Sequence, residues 1–517
     1  MLLSILLSLN IFATATPDTT SYEMIIGSYT REGNPGIEVF NFNHHTGAVS
    51  PSYTIKSSNA SYQAYSKDRK FMYSVTEEGA GKSFVSAFKR NALGKYEFIN
   101  MSSTIGDGPC FVAYRESSKT VYAANYGSGT LSIFKTEQGK LLPIAQHIVY
   151  KGSSVNASRQ TSPHAHNVVI SPDQKELYVV DLGTDKVHHH HLNADGTVNE
   201  NDEPALIKPG NGPRHIVFSS TGKNAYLINE LSGTVDVFKT TNGTLQQIQS
   251  IAADTTHVNP KGSGHIQISP NGKWLLTSNR ISSNEVTVFA IQPDGKLKDV
   301  FHQRVALKPR NFSFDPSGNF VLVGSQDEHV IQVFSFNDKI GSMKDTHQDI
   351  KIKSPVCISF VAKQEPDANA RLQELGIELV KPGLPMANYV KFTRVGNLIY
   401  LAGHGPEKAP GVYVLGRVGK DLTQEEGQEA ARLCGLALLS TLKAAVGDLN
   451  NVKQVVKVNG YVNSDDSFTQ QPFVINGVSN LLVDVFGEKG KHARAAVGVN
   501  TLPLNTAVEV EMIVEVK

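Results

Sequence analysis

One pattern recurs six times in the first two thirds of the chain and leaves few folds open. The copies are SYQAYSKDRKFMYSVTEE from Ser61, CFVAYRESSKTVYAANYG from Cys110, HNVVISPDQKELYVVDLG from His166, HIVFSSTGKNAYLINELS from His215, HIQISPNGKWLLTSNRIS from His265 and NFSFDPSGNFVLVGSQDE from Asn311. Each reads as an alternating strand, a tight turn such as Ser-Pro-Asn-Gly at 269–272, and a second strand. A third strand follows in the later copies (TVDVFKT, EVTVFAIQ, VIQVFSF), and then a weaker fourth, with starts 46 to 56 residues apart. Four short strands at that period are the mark of a β-propeller blade. Residues 22–57 supply EMIIGSYT and GIEVFNFN without a first hairpin strand, and CISFVA from Cys357 provides it from the other end. A blade completed by both ends leaves no open sheet edge. The expected fold over residues 22–362 is therefore an all-β, seven-bladed β-propeller.

The repeat also locates a candidate site. A blade's first strand lines the central channel and its second returns antiparallel, so the start of one and the end of the other share a mouth. The starts align as Tyr62, Cys110, His166, His215, His265, Asn311 and Cys357; fifteen residues on, the first six give Glu77, Asn125, Asp181, Glu230, Arg280 and Gln326. Arg214 precedes His215, and His164 lies two residues before His166. Ionisable groups around one concave mouth are the default binding site. A histidine moves protons near neutral pH, a carboxylate orients it, and arginine holds a carboxylate, phosphate or oxyanion. Together they suit addition of water to an ester or lactone carbonyl; hydrogen bonding across the channel with no chemistry is the alternative. His164 and His166 lack an obvious third ligand for a metal, and the run His188–His191 on an outer strand reads as decoration, so no metal or cofactor is expected.

Other features bound the destination and partners. The apolar run at residues 1–12 followed by Ala13-Thr14-Ala15 has the form of a secretory signal peptide over residues 1–15, giving a secreted or periplasmic protein. No later apolar run is long enough to span a bilayer, so no membrane contact is expected after signal removal. Lys and Arg total 49 against 48 Asp and Glu, which gives no reason to expect nucleic acid as a partner. The three cysteines, Cys110, Cys357 and Cys434, are too scattered for a disulfide framework.

At AKQEPDANA the pattern shifts, and residues 363–370 read as a linker before a second domain at 371–517. NYVKFTRV and LIYLAGHG read as strands, 423–446 as a helix with a Thr423/Glu426 capping box, VVKVNGYVN as a strand, 473–486 as a helix and AVEVEMIVEV as a last strand. That order describes an α+β domain with helices over one sheet. Cys434, on the apolar face of the first helix, reads as core.

Both parts resemble known families. GPRHIVFSSTGKNAYLINELSGTVDVF, SPHAHNVVISPD, SPNGKWLLTSNR and SPVCISF are similar to the seven-bladed lactonases, which include propeller-type 6-phosphogluconolactonases and a fungal carboxymuconate cycloisomerase. The resemblance implies His166 as acid/base, with Arg214, Glu230 and Arg280 binding the substrate; the mouth itself sets Arg214 and Glu230 beside His166 as the catalytic group and adds His164, His215 and His265 as substrate-binding candidates. NLIYLAGHGP, the Asn476 helix and HARAAVGVNTLPLNTAVEVE resemble the Rid family of imine deaminases, which have a chorismate-mutase-like fold and assemble as trimers with sites between subunits. That resemblance implies a homotrimer acting on 2-imino acids, with Arg494 gripping the substrate carboxylate, Glu509 near the attacking water, and Tyr389 and Asn476 in the pocket. Ala402 and Ala496 stand where these deaminases carry a serine and, in many, a cysteine. Two overall readings follow: a lactone hydrolase fused to a trimerising, imine-deaminating module, or an exported binding propeller without catalysis whose second domain only oligomerises or binds a small molecule.

Overall fold

A computed structural model describes residues 21–79, 81–199, 204–383 and 388–517. The segment read as a signal peptide, residues 1–15, lies outside the described residues. Two compact units divide the chain, residues 1–90 with 96–363 and residues 91–95 with 364–517.

Among its described residues the first unit contains seven separate antiparallel sheets of at least four strands each, ordered along the chain. Six are built from consecutive strands. The remaining one joins Pro355–Ala362 to Ser21–Ser28, with Tyr22 opposite Ala362 and Gly27 opposite Cys357. The ring is thus closed by the displaced strand, and the first unit is a seven-bladed propeller. Innermost strands of successive blades pack side by side around the axis.

Short alternating strands alone would stack as sheets of uncertain register; two repeated devices fix these. The turn between first and second strands needs one left-handed residue. Gly222, Gly272 and Gly318 supply it without strain, while Arg69, Lys119 and Gln174 adopt it at positive φ. Between blades, buried tyrosines of the second strands reach the next blade: the hydroxyls of Tyr122, Tyr178 and Tyr226 donate to the carbonyls of Gly196, Gly243 and Gly295 at 2.7, 2.8 and 3.0 Å. Each ring fills the space between sheets while its polar tip finds a partner, as a buried tyrosine requires. Trp274 plays the same part from two residues earlier, its indole N–H donating to the Asp338 carbonyl at 3.1 Å.

The second unit is α+β. Its five-stranded sheet runs in the order Phe392–Val395, Leu398–His404, Val508–Val516, Val452–Asn463, Ala493–Val499. The helices Gln424–Val446 and Gln471–Phe486 bury their apolar sides against it, and Cys434 is fully buried in that core. The capping box of Thr423 and Glu426 is formed. The edge strand Ala493–Val499 is absent from the sequence reading. It pairs in parallel with Val452–Asn463, and its mostly exposed small residues carry no alternation to betray it. A short helix, Ala368–Glu374, capped by Asp367, begins within the stretch read as a linker.

Candidate functional site

The inner strands of five blades share one irregularity. Their register with the second strand slips between Pro109 and Phe111, Ala165 and Asn167, Pro213 and His215, Ser263 and Ile266, and Pro309 and Asn311. A bulge re-aims the side chain it adds. The residues lifted out of the ladder are Cys110, His166, Arg214 and Arg310, with Gly264 at the matching position. Directly after them come Phe111, Asn167, His215, His265 and Asn311. This corrects the sequence alignment, which set Cys110 and His166 level with His215 and His265; they are one residue earlier, and one residue changes the face.

The same slip displaces the returning row. The second strands end at Ser28, Thr76, Asn125, Asp181, Asn229, Asn279 and Ser325, and the residue after each is Tyr29, Glu77, Tyr126, Leu182, Glu230, Arg280 or Gln326. Asn125 and Asp181, read as mouth residues, are instead fully buried in their blades. Asp181 accepts from the His164 and Gly183 amides at 2.7 and 2.9 Å and from the Thr184 hydroxyl at 2.6 Å.

Bulge row and returning row meet in a network of arginines. Glu230 is 3% exposed and is held by three of them: Arg214, Arg280 at 2.9 Å and Arg159 at 2.8 Å. Arg214 also donates from Nε to the Gly264 carbonyl at 2.9 Å. A Cβ on Gly264 would lie 2.7 Å from Ser278 Oγ and 3.0 Å from Arg280 Cδ, so the glycine leaves room for the Ser278 hydroxyl and the aliphatic part of Arg280. Burial pushes the Glu230 carboxyl up, but Arg280, Arg214 and Arg159 outweigh it and hold the group well below the usual carboxylate range. Burial and Arg214 push Arg280 down to about 9, which leaves it charged at neutral pH. On the other side Glu77 accepts from the Tyr29 hydroxyl at 2.8 Å and lies 3.6 Å from Arg310, whose guanidinium sits 5.3 Å over the Tyr29 ring. Four guanidiniums face two carboxylates in these ion pairs, an excess of two positive charges.

His166 stands among these groups, 4% exposed, its ring 5.3 Å from Tyr126 and 5.1 Å from His215. Burial, and then Arg214, Arg310 and Arg280, hold its imidazole well below the ordinary histidine range. His215 is held down in the same way, and His265 is pushed down to about 3 by burial and Arg214. All three are neutral at pH 7, which corrects the expectation of histidines that take up and release protons near neutral pH. A neutral imidazole takes a proton from water but has none to spare beforehand.

His164 stacks on Tyr126 at 4.5 Å, with Nδ1 2.9 Å from the Tyr126 carbonyl. His215 and His265 lie deeper and face each other, Nδ1 to Nδ1, at 3.1 Å. They line a hollow of about 320 Å³ with Tyr62, Phe111 and Asn167. A second hollow, of about 410 Å³, opens toward the far end past Tyr65, Arg69 and Asn311. The arginine cluster borders neither. The Cys110 thiol donates to the His166 carbonyl at 3.3 Å, and burial pushes it above the ordinary thiol range.

The structure thus gathers His164, His166, Arg214, Glu230 and Arg280 at one mouth and sets His215 and His265 below it. Tyr29, Tyr126, Arg159 and Arg310 are absent from the sequence reading. Arg310 had a signal, because Lys-Pro-Arg-Asn at 308–311 repeats the Pro-Arg spacing of Gly-Pro-Arg-His at 212–215. Arg159 lies in a loop outside the repeat and had none. The run His188–His191 is not surface decoration either: His188 and His190 are buried, the first stacked on Tyr150 at 3.9 Å, the second 2.9 Å from the Tyr150 hydroxyl.

In the second unit Arg494 donates to the Asn476 amide oxygen at 2.8 Å and to Ser479 at 3.2 Å. Glu509 is half-buried, and burial and Glu511 raise its carboxyl above the usual range. A Cβ on Gly403 would fall within 2.0 Å of the Glu509 carboxylate, so this glycine admits the side chain. Tyr389 is 49% exposed. Arg494 and Glu509 stand on strands separated by Val452–Asn463, about 10 Å apart at ordinary strand spacing. One chain therefore does not bring the four residues together.

A closed seven-bladed propeller with an arginine-rich mouth over a neutral histidine defines the class, and comparison with known proteins gives the family. Residues 23–360 match the model of the seven-bladed β-propeller lactonases, and residues 369–516 match the YjgF/chorismate mutase-like family. The 6-phosphogluconolactonase of Formosa agariphila is 33% identical over 342 residues, covering 64% of this chain and 96% of that protein. The solved periplasmic gluconolactonase of Pseudomonas aeruginosa is 31% identical with a TM-score of 0.63, covering 66% of this chain and all of its own. Protein TCP17 of Trypanosoma cruzi is 48% identical over 159 residues, covering 31% of this chain and 98% of that protein. The chain belongs to the seven-bladed β-propeller lactonase family, and a Rid-like domain follows its propeller.

Proposed function

We propose that the propeller hydrolyses an anionic sugar lactone, of the kind represented by 6-phosphogluconolactone. The single observation that carries this reading is the excess of guanidinium over carboxylate around a buried neutral imidazole. The relatives named for 6-phosphogluconolactone and gluconolactone give the reaction class. His166 takes a proton from water as its oxygen attacks the lactone carbonyl carbon, and Arg214 faces the oxyanion that forms. Collapse breaks the ring C–O bond, and the imidazolium returns its proton to the departing alkoxide, giving the open hydroxy acid. Glu230 holds Arg214 and Arg280 in place. Arg280 and Arg310 grip the substrate's own anionic group, whose charge also eases proton uptake by His166. In the same proposal residues 1–15 export the protein, in keeping with the periplasmic relative.

The C-terminal domain forms a homotrimer in this reading. Its sheet has helices on one side, while Tyr400 and Val497 stay 40% and 47% exposed. A second copy would bring a neighbour's Glu509 toward Arg494 and so complete a cleft for a 2-imino acid. The test is a panel of phosphorylated and plain sugar lactones followed by base uptake at constant pH. Faster turnover of the phosphorylated lactones supports the anionic substrate; no turnover of any lactone leaves the binding reading in its place.

A further inference from the structure

The outer strands of the fourth blade carry a cluster that the lactone chemistry does not use. Strand Lys186–His191 alternates its histidines: His188 and His190 turn to one face, His189 and His191 to the other. Glu176, on the neighbouring strand Glu176–Asp181, lies directly opposite His191 and on the same face. Its carboxylate is 2.8 Å from His189 Nε2 and 2.7 Å from His191 Nδ1. The Glu176 side chain is 11% exposed and that of His189 16%, whereas His191 is 66% exposed. One potential ligand atom from each of the three residues lies within 4.8 Å of the other two.

The surroundings hold this arrangement. The His189 ring stacks on Tyr178 at 5.2 Å with an interplanar angle of 17°, and the Tyr178 hydroxyl is tied to the Gly243 carbonyl at 2.8 Å. Gly243, in the next blade, is where a side chain would intrude: a Cβ there would lie 2.4 Å from both Cε1 and Nε2 of His189. The imidazole plane and the space before its Nε2 are both set by the fold.

We propose that Glu176, His189 and His191 form a binding site for a divalent transition-metal ion of the Zn²⁺ or Ni²⁺ type. Two imidazoles and one carboxylate suit these borderline cations, whereas Ca²⁺ and Mg²⁺ prefer an all-oxygen shell. Tetrahedral ligands about 2.1 Å from zinc stand about 3.4 Å apart, so the two Glu176–histidine contacts open by about 0.6 Å each and the two histidine nitrogens, within 4.8 Å of one another, settle to the same spacing. With the His189 ring held in place, a small turn of the Glu176 carboxylate opens its contact to His189, and the exposed His191 side chain adjusts to follow. The fourth position faces solvent on the His191 side and takes water. The ion clamps the second and third strands of the blade across their ends.

Calorimetric titration of untagged, metal-stripped full-length protein with Zn²⁺ alone, and separately with Ni²⁺ alone, tests this. One equivalent should bind the wild type, and Mg²⁺ should give no such event. His191→Ala changes an exposed side chain and leaves the fold intact; it should weaken binding by at least ~100-fold, and Glu176→Gln should do the same. Thermal unfolding should shift upward with Zn²⁺ in the wild type and not in His191→Ala. Arg214→Ala should keep the metal event, which separates this site from the propeller mouth. Absence of stoichiometric binding in the wild type, or unchanged binding in both ligand variants, overturns the assignment.

Discussion

Replacing Glu230 by glutamine keeps the side chain's shape and removes the charge that three arginines share. Arg159 is more than a third exposed, so water screens that arm and it adds little. The cost comes from Arg214 and Arg280, whose side chains are 5% and 12% exposed and would face each other without a counter-charge. Removing one partner of a buried ion pair costs about 3–5 kcal/mol. For a propeller of roughly 340 residues the unfolding entropy near the midpoint is about 0.7 kcal/mol/K, so the expected fall in Tm is about 4–7 °C. Calorimetry on the full chain reads this from the propeller transition, and added phosphate should recover part of the loss by supplying the missing anion. A Tm within about 1 °C of wild type, with no response to phosphate, would refute the claim that Glu230 is the counter-charge of the mouth.

Acidification should destabilise the propeller. His166 and His215 ionise well below the usual 6.5 and His265 at about 3, so between pH 6.5 and 3 the unfolded chain binds more protons than the folded one. Stability therefore falls with pH through that window, by up to about 1.4 kcal/mol per pH unit for each histidine; an unchanged urea midpoint between pH 7 and pH 5 would contradict it. Arg310→Met should raise KM for an anionic lactone by roughly tenfold or more, the worth of one charged hydrogen bond, with a smaller effect on kcat. Equal KM values in initial-rate assays would remove Arg310 from the anion grip. Asp181→Ala strips partners from two amides and one hydroxyl and should cost about 3–5 kcal/mol in denaturant unfolding. A loss below about 1 kcal/mol would show that the loop finds other partners.

The repeat and the displaced strand were legible because blade and turn periods are written in residue types. The bulges were not, since an added residue leaves hydrophobic alternation intact on either side of it. That is why the alignment set His166 level with His215 and placed Asp181 at the mouth, when each stands one residue away from the equivalent position. Burial among arginines is also invisible in a linear reading, so the histidines looked titratable at neutral pH and are not. In the second domain, Thr423 and Glu426 announced their helix through side-chain chemistry, whereas Ala493–Val499 owes its strand to a neighbour more than thirty residues back in sequence. The run His188–His191 carried its period of two in plain sight. Its meaning depended on Tyr150, Glu176 and Gly243, which only folding brings near.

The central claim is that His166 and Arg214 act on a lactone at the mouth of the propeller. It is tested most directly by kcat for the best lactone substrate in His166→Ala and Arg214→Ala, measured beside wild type. If Arg214 faces the oxyanion, its loss should lower kcat by about 10²–10³, equivalent to about 2.7–4 kcal/mol, and the loss of His166 should lower it by about 10²–10⁴. Unchanged turnover in both folded variants would contradict the account.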